Sequence, residues 1–204
     1  MKSARHKFTS SAMLMAAGVA TLLPTPAQAH MGTGLPGGFI SGFLHPFSGA
    51  DHLLAMVSVG LWGAFLGRPL LYVLPVVFPA MMVVGAILGM FVVPMPPVQI
   101  GIAVSVLVLG LCIALSLKAP VWAACGVVAL FAVFHGYAHG RELPSAADPI
   151  GYSAGFVLAT GLLHVSGICL GFLNHWRQGV MATRSIGAVI AAAGAWFLFQ
   201  AVGA

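Results

Sequence analysis

Long runs of apolar residues recur six times along the 204-residue chain, separated by short segments that contain Gly, Pro or a charged residue. Each run is close to the ~20 residues that a helix needs to cross a bilayer. The predicted spans cover residues 37–66, 70–91, 98–117, 120–140, 150–173 and 185–202. No connection between them is long enough for a soluble domain. The pattern predicts an all-α, polytopic membrane protein: a bundle of about six transmembrane helices, the first interrupted by Pro46 and Gly49.

A shorter apolar run near the start of the chain has the features of a secretory signal. Three basic residues precede an apolar run at residues 12–23, and an Ala-Gln-Ala triplet at 27–29 fits the small-x-small cleavage pattern. We therefore predict a cleaved signal peptide at residues 1–29 and a single transmembrane domain at residues 30–204. The alternative is an uncleaved signal anchor, although its apolar run is shorter than a full span.

Composition supports the membrane prediction. Hydrophobic residues make up 60% of the chain and charged residues 5%, and the mean hydropathy is +1.06, which excludes a soluble domain of this length. The formal charge of +5 falls to +2 once the three basic residues of the signal are removed. The charge therefore does not indicate nucleic acid as a partner, and the predicted partner surface is the lipid bilayer.

The remaining basic residues are distributed unevenly between the two sides of the membrane. Four of the five fall in loops on one side, and only Arg141 falls on the other; the four are Arg68, Lys118, Arg177 and Arg184. Cytoplasmic loops carry such an excess of Lys and Arg. We therefore predict a multi-pass protein of a bacterial inner membrane, with the mature N-terminus and the C-terminus in the periplasm.

Two groups of ionisable residues interrupt the apolar spans. His45, Asp51 and His52 lie in the first span, although an ionisable group at membrane depth costs roughly 2.5–3.5 kcal/mol on the mildest scale. Asp51 opens the uninterrupted part of this helix, where the helix dipole favours a carboxylate. The dipole does not explain the two histidines beside Asp51. A bound or passing divalent metal ion is the first candidate for the partner that offsets the cost of burying these groups.

The second group lies at the end of the fourth span. His135, His139 and Glu142 are spaced four and three residues apart, which places them on one face of a continuous helix. Because this span runs outward, both groups occupy the extracytoplasmic half of the membrane and can converge on one site. Imidazole and carboxylate ligands suit Ni, Co, Zn, Cu(II) or Fe(II). The carboxylates could instead orient the imidazoles.

Other candidate ligands leave alternatives open. His30, the predicted new N-terminus, and His164, near the middle of the fifth span, are possible additional metal ligands. The alternatives are a disordered terminus for His30 and an interhelical hydrogen bond for His164. Cys112, Cys125 and Cys169 are interpreted as small buried apolar residues, with a copper(I) thiolate site as the alternative. Histidines in membrane spans also bind haem in electron carriers.

The two groups together resemble the motifs of the HupE/UreJ family of membrane proteins. The first-span motif HPxxGxDH is matched at residues 45–52, and the fourth-span motif FHGxAHGxE is matched at residues 134–142. The resemblance implies a nickel permease rather than an enzyme, which moves Ni²⁺ from the periplasm into the cytoplasm for hydrogenase or urease maturation. It implies cytoplasmic nickel-enzyme maturation proteins as partners and Ni²⁺ as cargo, with no permanently bound cofactor. The ligand chemistry alone leaves Co, Cu and Zn as alternatives.

Overall fold

The computed structural model describes residues 38–143 and 148–203, and all regular secondary structure there is helical. The helices are α1 (Phe39–Ser48), α2 (Ala50–Leu66), α3 (Leu70–Met90), α4 (Val98–Ala114), α5 (Val121–Glu142), α6 (Pro149–Gly171) and α7 (Arg177–Gly203). A short 3-10 helix, Phe172–His175, connects α6 to α7. The predicted signal peptide and His30 lie outside the described residues.

All six predicted spans form helices, which confirms the all-α membrane fold. Four helices, α3, α5, α6 and α7, are long and apolar enough to cross a membrane. The pair α1 and α2 passes the same test together but is bent by 88°. Helix α4 is a shorter apolar helix of 17 residues.

The last helix begins earlier than its apolar run indicates. We predict residue 185 as its start, whereas α7 begins at Arg177. Its polar first turns are satisfied by neighbouring groups: the Arg184 Nε donates to the Ala114 carbonyl at 2.9 Å, and the Thr183 hydroxyl donates to Asn174 Oδ1 at 2.6 Å. These bonds let the helix continue beyond the apolar segment.

The predicted interruption of the first helix is confirmed at Gly49. This residue has an extended backbone (φ −108°, ψ 116°), so it belongs to neither helix, and α2 begins at the next residue. Pro46 lies inside α1, where its missing N–H removes one helical hydrogen bond. The 88° bend is sharper than a proline kink because the chain leaves the helical conformation altogether at Gly49. Helix α1 is thereby turned across the N-terminal end of α2.

Glycine seams decide which helices lie side by side. Gly85 and Gly89 of α3 face Gly136 and Gly140 of α5, and a Cβ on any of the four would collide with backbone of the opposite helix. Small residues allow this close approach of the two backbones. The resulting van der Waals contact helps to hold the helices together in lipid, where no hydrophobic effect drives them to associate. These four glycines therefore form a packing seam between α3 and α5. Helix α4 packs along α7 in the same way, while α6 packs against both α1 and α2.

The three cysteines are free, and one of them does not fit the interpretation as a buried residue. Cys112 and Cys125 are half-buried, whereas Cys169 is exposed. Position 169 lies on the opposite face of α6 from His164 and Gly167, which pack towards α2. The interpretation of Cys169 as buried is therefore wrong, because this face of α6 is directed away from the bundle.

The α2–α6 contact can be tested with two alanine variants on one helix. We expect Gly167→Ala to lower the free energy of unfolding by about 1–3 kcal/mol, because its methyl group would meet the Val57 carbonyl of α2. Gly161→Ala is the matched control, since no described atom lies within 4 Å of a Cβ placed there. Melting temperatures of the purified proteins in one detergent provide the measurement. Equal melting temperatures would contradict the close α2–α6 contact.

Candidate metal centre

The break at Gly49 and the α3–α5 seam bring both predicted groups of ionisable residues together. The imidazoles form a row in the order His45, His139, His52 and His135, with successive ring centroids 4.9, 4.8 and 4.9 Å apart. Successive rings are steeply inclined to each other, at 80°, 65° and 87°. We call these four residues the histidine row. Helices α1 and α2 contribute one pair and α5 contributes the other.

The outer end of the row has a carboxylate within reach. His45, His139 and Glu142, which we call the outer trio, each place one ligand atom so that all lie within 4.8 Å of one another. Glu142 Oε2 is 3.7 Å from His45 Nε2 and 4.0 Å from His139 Nδ1. Ligands at roughly 2.0–2.2 Å from a tetrahedral ion are about 3.5 Å apart. If the ligand atoms of the outer trio moved about 1 Å closer to one another, they could therefore hold a metal ion.

Asp51 lies behind His52 and orients its ring. The Asp51 Oδ1 accepts hydrogen bonds from the His52 backbone N–H and from His52 Nδ1, both at 2.8 Å. A proton on Nδ1 leaves the lone pair on Nε2, which is buried and has no hydrogen-bond partner among the described residues. Metal-binding histidines commonly use such a carboxylate to fix the tautomer. Of the two roles open to Asp51, this geometry favours orientation over direct ligation.

His135 is the deepest member of the row and is held by Ser105 of α4. The Ser105 hydroxyl donates to the Ile102 carbonyl at 2.6 Å, and its oxygen lies 3.0 Å from His135 Nε2. Because the hydroxyl proton is already used, we assign Ser105 Oγ as the acceptor and Nε2–H as the donor. The His135 Nδ1 then carries the lone pair, and within the described part of the chain it has no hydrogen-bond partner. His52 and His135 thus each keep one unshared nitrogen lone pair, on rings that meet nearly at right angles.

Sequence reasoning missed Ser105 and the aromatic residues beside the row. The one available signal for Ser105 is that it is the only hydroxyl side chain in the apolar segment 98–114. Phe156 and Tyr152 of α6 pack on the outer rings: Phe156 lies 4.5 Å from His139, and Tyr152 lies 5.7 Å from His45, measured between centroids. These rings exclude water, which strengthens electrostatic attraction for a cation.

The charge of the cluster suits a divalent cation. With neutral imidazoles, the ionised forms of Asp51 and Glu142 supply two negative charges. The third acid, Asp148, accepts a hydrogen bond from the Gly151 N–H at 2.9 Å and caps α6 instead. Arg141 is exposed. A desolvated ion of charge +2 would therefore balance the two carboxylates and occupy lone pairs that helix packing leaves unused.

The remaining candidates lie apart from the row. The Phe78 ring separates His164 from His135, at centroid distances of 5.4 and 5.6 Å. None of the cysteines belongs to a group of potential ligands among residues 38–143 and 148–203. His175 lies near the basic end of the bundle, where its Nδ1 is 2.8 Å from the Phe172 carbonyl.

Comparisons with known proteins point to one family. The family model described as HupE / UreJ protein matches residues 17–197. Protein HupE from Rhizobium leguminosarum bv. viciae is 42% identical over 179 residues, which cover 88% of this chain and 93% of that protein. No solved structure matches the chain with statistical significance.

The role of Ser105 in orienting His135 leads to a binding prediction. We expect Ser105→Ala to weaken Ni²⁺ binding by the purified protein by about 10–100-fold, the usual cost of removing a group that orients a metal-binding histidine. Ser166→Ala is the control, because that exposed hydroxyl bonds only to the Leu162 carbonyl of its own helix in the described structure. Calorimetric titration in detergent measures both. Equal affinities would show that Ser105 does not position a ligand.

Proposed function

This chain belongs to the HupE/UreJ family, and we infer from that membership and the histidine row that it is a permease for Ni²⁺. It moves the ion from the periplasm into the cytoplasm, where a nickel enzyme, a hydrogenase or a urease, receives it through maturation proteins. The protein acts by binding and releasing its cargo and catalyses no covalent reaction.

The observation that carries this proposal is the set of unshared lone pairs in the row. His52 Nε2 and His135 Nδ1 are buried and have no partner among the described residues. A buried polar group without a hydrogen bond is costly, and a fold that needed only packing would place apolar side chains there. A transported cation that coordinates these nitrogens compensates the cost.

The spacing of the row suits stepwise movement of an ion. The outer trio captures Ni²⁺ at the half-buried end, where the His45 and Glu142 side chains remain 12% and 17% exposed. His139 lies 4.8 Å from His52 between ring centroids, and His52 lies 4.9 Å from His135, so a neighbouring ligand is within reach at each step. The ion exchanges ligands one at a time. Conduction requires such a balance, because the site must replace the hydration shell and still release the ion.

Nickel is assigned by family membership, since imidazole and carboxylate ligands also accept Co, Zn and Cu(II). A haem-binding electron carrier is disfavoured by the geometry. A haem plane needs space between its axial ligands, whereas neighbouring rings of the row are in direct contact at 4.8–4.9 Å. The cavity beside His139 has a volume of about 100 Å³, which holds a few water molecules but no porphyrin.

Nickel uptake by cells that express the chain tests the proposal. We expect His52→Ala and His139→Ala to reduce uptake of radiolabelled Ni²⁺ at least about tenfold, since each removes a ligand from the row. His175→Ala is the matched control, because it removes a histidine at the opposite end of the bundle. Parallel measurements with excess Co²⁺, Cu²⁺ or Zn²⁺ identify competing cargo.

The outcomes separate the alternatives. Unchanged uptake in both row variants, at equal protein levels in the membrane, would refute the proposed site. Complete competition by another ion with no preference for Ni²⁺ would assign the site to that metal. A Soret absorption band in the purified protein would favour the haem carrier.

Orientation in the inner membrane has its own test. Since the four basic loop residues face the cytoplasm in this proposal, the end of α7 reaches the periplasm. We expect alkaline phosphatase fused to the C-terminus of the full-length chain to be active and a green fluorescent protein fused at the same position to be dark. The reverse pattern would place the C-terminus in the cytoplasm and the histidine row in the inner half of the membrane.

A further inference from the structure

His164 is a buried histidine that the histidine row does not include. It is 1% exposed and lies on α6, about 22 Å along the helix from Pro149 at 1.5 Å per residue. Neither ring nitrogen has a partner with full hydrogen-bond geometry among the residues described. A polar ring at this depth needs compensation, and helix packing supplies it only in part.

Helix α3 presents an unused oxygen to this ring. Pro79 has no N–H, so the carbonyl of Pro75, four residues earlier, loses its usual helical donor. The His164 imidazole interacts with that backbone carbonyl. A carbonyl that accepts from one ring nitrogen orients the other as a ligand, the arrangement found behind many metal-binding histidines.

One face of α6 connects His164 to the histidine row. Tyr152, Phe156, Thr160 and His164 follow one another at four-residue spacing, so they form a stripe along one side of the helix, and all four are buried. The Thr160 hydroxyl has no hydrogen-bond partner in the described structure. Thr160 also lines the mostly apolar cavity of about 100 Å³ that reaches His139, so these two side chains border one open space.

We propose that His164, oriented by the Pro75 carbonyl, and the Thr160 hydroxyl form a second, deeper binding station for the transported cation. The station lies beyond the Phe78 ring, which separates it from His135. An imidazole nitrogen with one neutral hydroxyl oxygen binds a divalent ion more weakly than a site with carboxylates, which favours onward release. This proposal rests on the proposed permease function and adds a second stop on the inward path.

Stoichiometry and transport measurements on His164→Asn test the station. Asparagine can still donate a hydrogen bond to the Pro75 carbonyl, so it preserves an interhelical contact but removes the imidazole ligand. With full-length protein in detergent, equilibrium dialysis against Ni²⁺ should show one bound ion fewer than in wild type, while the tighter binding to the row is retained. Uptake by cells should fall at least about tenfold. His175→Asn is the matched control, and melting temperatures verify that each variant is folded.

Each outcome decides the proposal. Wild-type stoichiometry and uptake in His164→Asn would overturn it and assign His164 to an interhelical hydrogen bond. If His164→Asn does not fold, Thr160→Val provides the second variant: weaker binding at the second ion supports the station, and unchanged binding overturns it. If wild-type protein binds no Ni²⁺, or if His139→Ala binds and transports like wild type, the permease proposal itself fails and the inner station fails with it. Normal His139 dependence with no effect of His164 or Thr160 variants rejects the station alone.

Discussion

Burial of ionisable side chains in an apolar bundle is the constraint on which the rest of this structure depends. The histidine row and its carboxylates lie on helices that are otherwise mostly apolar, so contacts within the bundle must compensate the water that these groups lose on burial. Two of the buried imidazoles have a specific hydrogen-bond partner on one ring nitrogen. Asp51 accepts from His52, Ser105 holds His135, and the two nitrogens that remain unshared belong to neighbouring rings. In the proposed function, a transported cation compensates these unshared lone pairs.

Two backbone features create this site. The break at Gly49 turns α1 through 88°, which carries His45 over the C-terminal end of α5. The glycine seam between α3 and α5 brings these two helices into backbone contact, while another face of α5 carries the imidazoles that meet those of α1 and α2. His135 and His139 project from that face. The row thus lies between two groups of packed helices, α1 with α2 and α6 on one side and α3 with α5 on the other, so a small relative movement changes the ligand spacing.

Most of the fold followed from residue patterns because the bilayer allows few alternatives. Backbone groups in lipid must be satisfied within the helix, so apolar length alone predicts each span. The break at Gly49 was predictable because Pro and Gly interrupt an apolar run beside charged residues. The start of α7 was not, because the partners of Arg184 and Thr183 come from distant segments. The burial of Cys169 was predicted wrongly for a related reason. A uniformly apolar span does not show which of its faces points away from the bundle.

The amino-acid sequence by itself determined the helical membrane fold, the positions of the two ionisable groups and the expectation that they share one half of the membrane. These properties depend on local composition and on the alternating direction in which successive spans cross the membrane. Both can be read from the order of residues in the sequence. The tertiary structure alone decided the order of the four imidazoles, the orienting roles of Asp51 and Ser105, and the separation of His164 from the row by Phe78. Those properties depend on which helices pack together. Several helices carry similar pairs of glycines, so the sequence does not show which helix each pair packs against.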